Sequence, residues 1–276
     1  SKLTADVVKN VSPTVDSEYL PHAVNNEVFK PFESEMTEKL KEENFKDGKD
    51  KFVFFWNNRN AKRKLAASII YWFKEFLDRV GEDKAILLMH TNPKDQHGPD
   101  LEAVAANLDL DRGQVLFSTT KLPEHELAAM YNIVDCTINI SDAEGFGLGT
   151  LESLSCGTPI IVNMTGGLQE QVTDGKEFFG IPIHPASKAI IGSQNVPYIF
   201  EDRVDKKQFI DALEKMYKMS KEERKEMGLK GRRHVLSNYS YEKYQSRWVE
   251  IIDEVHQKWG SWDNKKQNKL WTMEVV

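Results

Sequence analysis

The chain has 276 residues, 40% of them hydrophobic, enough for a packed core in one large domain or two small ones. Its formal net charge of -6 gives no global field for nucleic acid or anionic membrane, so any anion site must be a local cluster. Two cysteines, Cys136 and Cys156, exclude a disulfide framework and favour a reducing compartment, and no apolar run approaches the roughly 18 residues needed to span a bilayer.

The first 30 or so residues, with Pro13, Pro21 and Pro31, show no sustained period and read as an extended connector rather than a folded start. From KFVFFW (residues 51–56) onward, the apolar runs AILLMH, QVLFST, DCTINIS and PIIVN alternate with amphipathic segments. That rhythm predicts an α/β fold with a Rossmann-like parallel sheet and helices on both faces. After the first strand, Leu65, Ile69, Trp72, Phe73, Phe76 and Val80 share one helical face, and Gly81 is the expected C-cap.

Further along, Asp109-x-Asp111 lies in a helix-to-strand turn, where aspartate is common, and reads as a turn rather than a metal site. His125-Glu126 lacks the second histidine of a zinc protease motif, because position 129 is Ala129. Near the end, Ser220 and Glu223 form a capping box, and a second helix is expected over about 241–259. Arg232, Arg233 and His234 read as a helix surface, and Trp259, Trp262 and Trp271, in a polar background, predict packing on this domain or a partner. Asn10, Asn163 and Asn238 begin Asn-x-Ser/Thr triplets that read as chance matches, since Asn163 ends a buried strand.

Two segments carry chemistry. In SDAEGFGLGTLESLSCGTPIIVN (residues 141–163), a glycine loop follows one strand, LGTLESLSC forms a helix capped by Gly157, and PIIVN is the next strand. In open α/β sheets that crevice outside the strand ends binds ligands, and glycines let a ligand approach the main chain. The amides of Leu148, Gly149 and Thr150 are expected to face it as anion donors. The dinucleotide fingerprint fails, because counting from Gly145 places Thr150 where glycine is required, and the P-loop pattern is absent. Glu144 before the loop and Glu152 within the helix flank an expected buried stripe of Leu148, Leu151 and Leu154. A carboxylate takes two hydroxyl donors at once, which suits a vicinal diol.

The second segment, WNNRNAKRKLAAS, places Arg59, Lys62, Arg63 and Lys64 just before or in the first turn of a helix, against the helix dipole. A bound anion is the natural compensation. Together the segments imply a ligand with a diol, a diphosphate and another polyol, which is a nucleotide sugar.

These residues resemble the Glu-x7-Glu element and the Arg...Lys pair of the retaining family-4 glycosyltransferases, which have the two-domain GT-B fold. Glu144 and Glu152 have that spacing, with Gly145, Phe146 and Gly147 between them, and Arg59 with Lys64 matches the basic pair. TGGLQEQVTDG is similar to the family's following Gly-Gly turn and YLPHAVNNEVFKP to its interdomain linker, so the resemblance runs from about residue 1 to residue 250. Glycogen and starch synthases share the fold, but their loop carries Pro-Cys where Gly145-Phe146 stands.

The resemblance implies that Glu152 holds the ribose hydroxyls, that Glu144 with Gly145, Phe146, Gly147, Leu148, Gly149 and Thr150 holds the donor sugar, and that Arg59 and Lys64 hold the diphosphate. Glu144, Arg59 and Lys64 are the expected catalytic residues; no metal and no cofactor beyond the nucleotide-diphosphate sugar substrate is implied. Residues 118–121, from Ser118 to Lys121, are candidates for base contacts. Residues 1–45 are expected to be the linker and remnant of an N-terminal acceptor domain, 46–240 the nucleotide-sugar-binding domain, and 241–276 a C-terminal helix and tail. A glycan, lipid or protein acceptor would bind through the missing N-terminal domain, in a cytoplasmic protein at most peripheral to a membrane, with little transfer by this chain alone. The alternatives are a non-catalytic nucleotide-sugar binding module, a glycogen- or starch-synthase-like enzyme, and an unrelated dinucleotide-dependent enzyme, which the failed fingerprint disfavours.

Overall fold

A computed structural model describes residues 1–46, 48–261 and 263–264. Two helices, α1 (Lys2–Val11) and α2 (Ser34–Asn44), precede the first strand, β1 (Phe52–Asn57). Helices and strands then alternate through α3 (Ala66–Val80), β2 (Ala85–His90), α4 (Leu101–Asn107), β3 (Val115–Ser118), α5 (Glu124–Ile133), β4 (Cys136–Asn139), α6 (Leu148–Ser155), β5 (Ile160–Asn163), α7 (Leu168–Gln171) and β6 (Gly180–Ile183). A hairpin of β7 (Ser187–Ile190) and β8 (Phe200–Arg203) follows, then α8 (Lys206–Lys218), α9 (Lys221–Asn238) and α10 (Tyr241–Trp259).

Strands β1 to β6 form one parallel sheet in the order β3-β2-β1-β4-β5-β6, with helices on both faces, as the alternating pattern predicts. Its strands are mostly apolar because both faces are covered, with polar residues such as Asn57, His90, Ser118, Asn139 and Asn163 at their carboxyl ends. Along β1, Phe52, Phe54 and Trp56 enter one core with Ile69, Phe73 and Phe76, while Val53 and Phe55 enter the other with Tyr131 and Leu151. The strand order reverses beside β1, so the connections leaving β1 and β4 diverge and open a crevice between them.

The expected punctuation is in place. Gly81, at φ +114, ends α3, and Gly157, at φ +77, follows α6. Ser220 and Glu223 form the capping box of α9, and Cys136 and Cys156 are buried free thiols. Asn163 is buried at the end of β5 and donates to the Ser141 carbonyl at 2.9 Å, consistent with a chance triplet there.

Residues 2–11 are helical, which differs from the expected connector. The Ser1 side chain accepts from the Thr4 amide, and Leu3, Val7 and Val11 recur at helical spacing. The following segment lies against the sheet domain: Val24 and Phe29 are buried, and Val24 forms a parallel bridge with Ser240. The β7–β8 hairpin has no counterpart among the expected strands. Trp259 ends α10 with the Lys258 ammonium 5.0 Å from its ring centroid, whereas Trp262 and Trp271 lie outside the described residues.

Candidate functional site

The segment after β4, residues 140–147, turns over the carboxyl ends of β1 and β4 and is tied to its neighbours on several sides. Ser141 Oγ donates to Asn139 Oδ1 (2.9 Å), the Asp142 amide donates to the Arg63 carbonyl (2.8 Å), and Arg63 Nη1 donates to the Ala143 carbonyl (2.6 Å). Gly147, at φ +92, is the residue from which α6 starts. The Gly-Gly turn singled out in the sequence supports this loop. Gly166 sits at φ +50, where an added Cβ would fall 1.8 Å from the Glu144 carbonyl oxygen, and the Gly167 amide donates to that same oxygen at 3.2 Å.

Glu144 accepts a hydrogen bond from Lys64 Nζ, and the two side chains are only 12% and 7% exposed. Burial pulls the Lys64 ammonium below its ordinary pKa, against the opposing pull of Glu144. Lys64 faces inward because Lys62–Lys64 form a single 3-10 turn closed by Leu65 in the left-handed conformation (φ +58). Helix α3 therefore starts at Ala66, and the basic residues lie just before it, one of the two placements expected.

Arg59 does not join Lys64 in this structure. Its side chain is 60% exposed; Nε donates to Asp95 Oδ2 at 2.8 Å, and Nη2 lies 2.6 Å from His97 Nδ1. The Arg59 guanidinium holds the Asp95 carboxyl well below the usual carboxylate range.

Glu152 belongs to a separate network. Asn57 Nδ2 donates to the Tyr131 hydroxyl (2.9 Å), which donates to Glu152 Oε2 (2.8 Å). Burial pushes the Glu152 carboxyl pKa up, and the Tyr131 hydrogen bond opposes the shift. Two expectations for this helix are corrected. The Thr150 amide is spent on the Gly147 carbonyl at 3.0 Å, closing the first turn, so it is no free anion donor. Leu148 is 46% exposed and lines the crevice instead of joining the buried Leu151 and Leu154, because it opens the helix at the crevice rim.

The crevice has a volume of about 320 Å³, with Asn57, Asn58, Asn139, Glu144 and Phe146 on its walls and the start of α6 at one side. Two features were not found by sequence reasoning. His22, from the segment before α2, lines the crevice and packs edge-on against Phe146, with centroids 4.9 Å apart. Arg203 of β8 donates to the buried Asp142 carboxylate, and the Asp202 amide donates to the Asp142 carbonyl at 2.9 Å. Only the Pro-His-Ala-Val run in the connector marked His22, and nothing in its spacing pointed to a crevice residue. Ser118, a candidate for base contacts, places its hydroxyl 2.9 Å from His90 Nδ1 at the end of β3.

The Glycosyl transferases group 1 family model matches residues 36–234. The chain belongs to this family. Over 75 residues this group 1 glycosyltransferase is 43% identical to the D-inositol 3-phosphate glycosyltransferase of Streptosporangium roseum, a match covering 27% of this chain and 17% of that protein. It is 26% identical over 140 residues to the trehalose synthase of Pyrococcus horikoshii, covering 51% of this chain and 28% of that one. The chain therefore spans well under a third of these curated relatives.

Among solved structures, the sucrose-phosphate synthase of Thermosynechococcus elongatus superposes with a TM-score of 0.73 at 18% identity, covering 93% of this chain and 57% of that one. The C-terminal domain of a group 1 glycosyl transferase from Francisella tularensis gives a TM-score of 0.60 at 20% identity, covering 79% of this chain and 99% of that domain. Anabaena HepE, solved with UDP and glucose, gives 0.67 at 12% identity, covering 86% of this chain and 56% of that one. At these identities the likeness concerns the fold, which is that of the C-terminal half of a GT-B glycosyltransferase. Among the described residues no helix is long and apolar enough to cross a membrane.

Proposed function

We propose that this chain is the donor-binding half of a retaining family-4 glycosyltransferase and binds a nucleoside-diphosphate sugar at the crevice between β1 and β4. The observation that carries the reading is the pairing of a glycine loop with two separately held carboxylates, Glu144 on Lys64 and Glu152 on Tyr131, beside that crevice. HepE, a solved structure with the same fold, was determined with UDP-glucose, which supports a ligand of this class.

In this reading Glu152 accepts from the ribose hydroxyls, Glu144 and the loop hold the sugar, and Lys64 with Arg59 meets the diphosphate. Donor binding then requires two exchanges: the diphosphate replaces Glu144 on Lys64, and Arg59 leaves Asp95. Released Glu144 is free to accept sugar hydroxyls, and the cations stabilise the charge that develops on the departing diphosphate. No metal is required for that role. The acceptor, a glycan, lipid or protein, binds to another domain of the whole enzyme, which is cytoplasmic or peripheral to a membrane, and this chain alone transfers little sugar.

The test is calorimetric titration of the chain with UDP, GDP, ADP and NAD. Saturable binding of one diphosphate, weakened by Glu152→Ala in protein shown to be folded, supports the reading. Binding of NAD in preference to every diphosphate, or binding of none by folded protein, rejects it.

A further inference from the structure

One side chain on the crevice wall comes from far away in the sequence: His22, more than 110 residues before the glycine loop. Its backbone is anchored on both sides. Tyr19, three residues earlier, donates its hydroxyl to Glu170 Oε1 at 2.9 Å. Val24, two residues later, is buried, donates its amide to the Tyr239 carbonyl at 3.1 Å and pairs with Ser240.

Between those anchors the imidazole meets Phe146 edge-on, at an interplanar angle of 76°, and Phe146 is itself buried and packed toward Tyr239. The ring, on an exposed residue, thus packs against Phe146 on one side. Neither of its nitrogens has a hydrogen-bond partner among the described residues. His90 meets Ser118, His97 meets Asp95 and His234 meets the Glu170 carbonyl, while His125, His184 and His256, whose rings also lack hydrogen bonds among the described residues, do not line this crevice. A histidine held by its backbone and by one aromatic contact, with both nitrogens open at a cavity, is equipped to bind what fills that cavity.

Its neighbours indicate which part of a ligand that is. The polar side chains on the wall are chiefly amides and the Glu144 carboxylate, and no lysine or arginine lines it. Amides, a carboxylate and an imidazole offer both donors and acceptors, which matches sugar hydroxyls; a diphosphate requires cations. We infer that His22 is a further substrate-contacting residue, hydrogen-bonding a hydroxyl of the sugar that the nucleotide carries. The inference rests on the nucleotide-sugar reading above and adds to it a residue outside both sequence segments that suggested it.

The test uses the full chain and whichever of UDP, GDP or ADP binds best, together with the glucose, galactose and mannose esters of that diphosphate. In the wild type, one ester should bind more tightly than the bare diphosphate. His22→Ala should weaken that ester by about 10-fold while changing the diphosphate by less than about 2-fold. His22→Phe keeps a ring against Phe146 and should show the same selective loss. An unchanged ratio of ester to diphosphate affinity in His22→Ala, or full ester affinity in His22→Phe, overturns the inference while leaving the diphosphate site intact. Failure of every diphosphate to bind the wild type is a separate result, and rejects the nucleotide reading together with the inference built on it.

Discussion

Lys64 Nζ donates to Glu144, and both side chains are largely withdrawn from water, so each neutralises the other beside the glycine loop. Removing one partner leaves the other as an uncompensated buried charge. Lys64→Ala should therefore destabilise the chain by about 3 to 5 kcal/mol in urea unfolding, and Lys64→Met combined with Glu144→Gln should recover most of that loss. Additive losses in the double variant would contradict mutual neutralisation.

The Gly166 turn supports the same loop from below. Gly166→Ala places a Cβ against the Glu144 carbonyl in a left-handed conformation that alanine disfavours. The expected cost is about 3 kcal/mol or more, read as a lower urea midpoint. Gly145→Ala, where an added Cβ meets nothing within 4 Å, should cost far less. Equal costs at the two positions would argue against the contact.

Acid stability should carry the signature of Glu152. Burial raises its folded pKa above the ordinary value of 4.5, so between those two pKa values the folded chain binds more protons than the unfolded one. Stability contributed by this group therefore rises as pH falls through that window, and the buried ionised form is a cost above it. Asp142, raised by burial as well, acts in the same sense. Thermal unfolding between pH 7 and pH 4.5 should show this component shrink in Glu152→Gln, which keeps an acceptor for Tyr131.

His234 acts in the opposite sense. Burial lowers its pKa below 6.5, so the unfolded chain binds more protons there and stability falls as pH drops through 6.5 toward the folded pKa. His90, also lowered by burial, contributes likewise. His234→Gln should reduce the loss of thermal stability over that interval. An unaltered pH slope would show that His234 is not a source of it.

Much of this was legible in the sequence, and the boundary has physical causes. The strands were readable because a doubly covered parallel sheet requires continuous apolar runs, and glycines such as Gly81 and Gly157 mark helix ends by a backbone conformation other residues resist. Glu144 and Glu152 were readable because their spacing across a glycine loop is local. The difference between Lys64 and Arg59 was not, since both stand in one basic run; the 3-10 turn and Leu65 turn Lys64 inward, while Asp95, 36 residues on, captures Arg59. His22 and Arg203 escaped for the same reason: each reaches the loop from another part of the chain, through contacts that leave no periodicity.

In the proposed site, Glu152 holds the ribose of a nucleoside diphosphate. The most direct measurement is the dissociation constant of the best-binding diphosphate for wild type and Glu152→Ala, at pH 7.5, with folding checked by circular dichroism. Loss of charge-assisted hydrogen bonds worth about 1.5 to 3 kcal/mol predicts weakening of roughly 10- to 150-fold. Unchanged affinity in a folded variant would remove Glu152 from the site and contradict the assignment of the crevice.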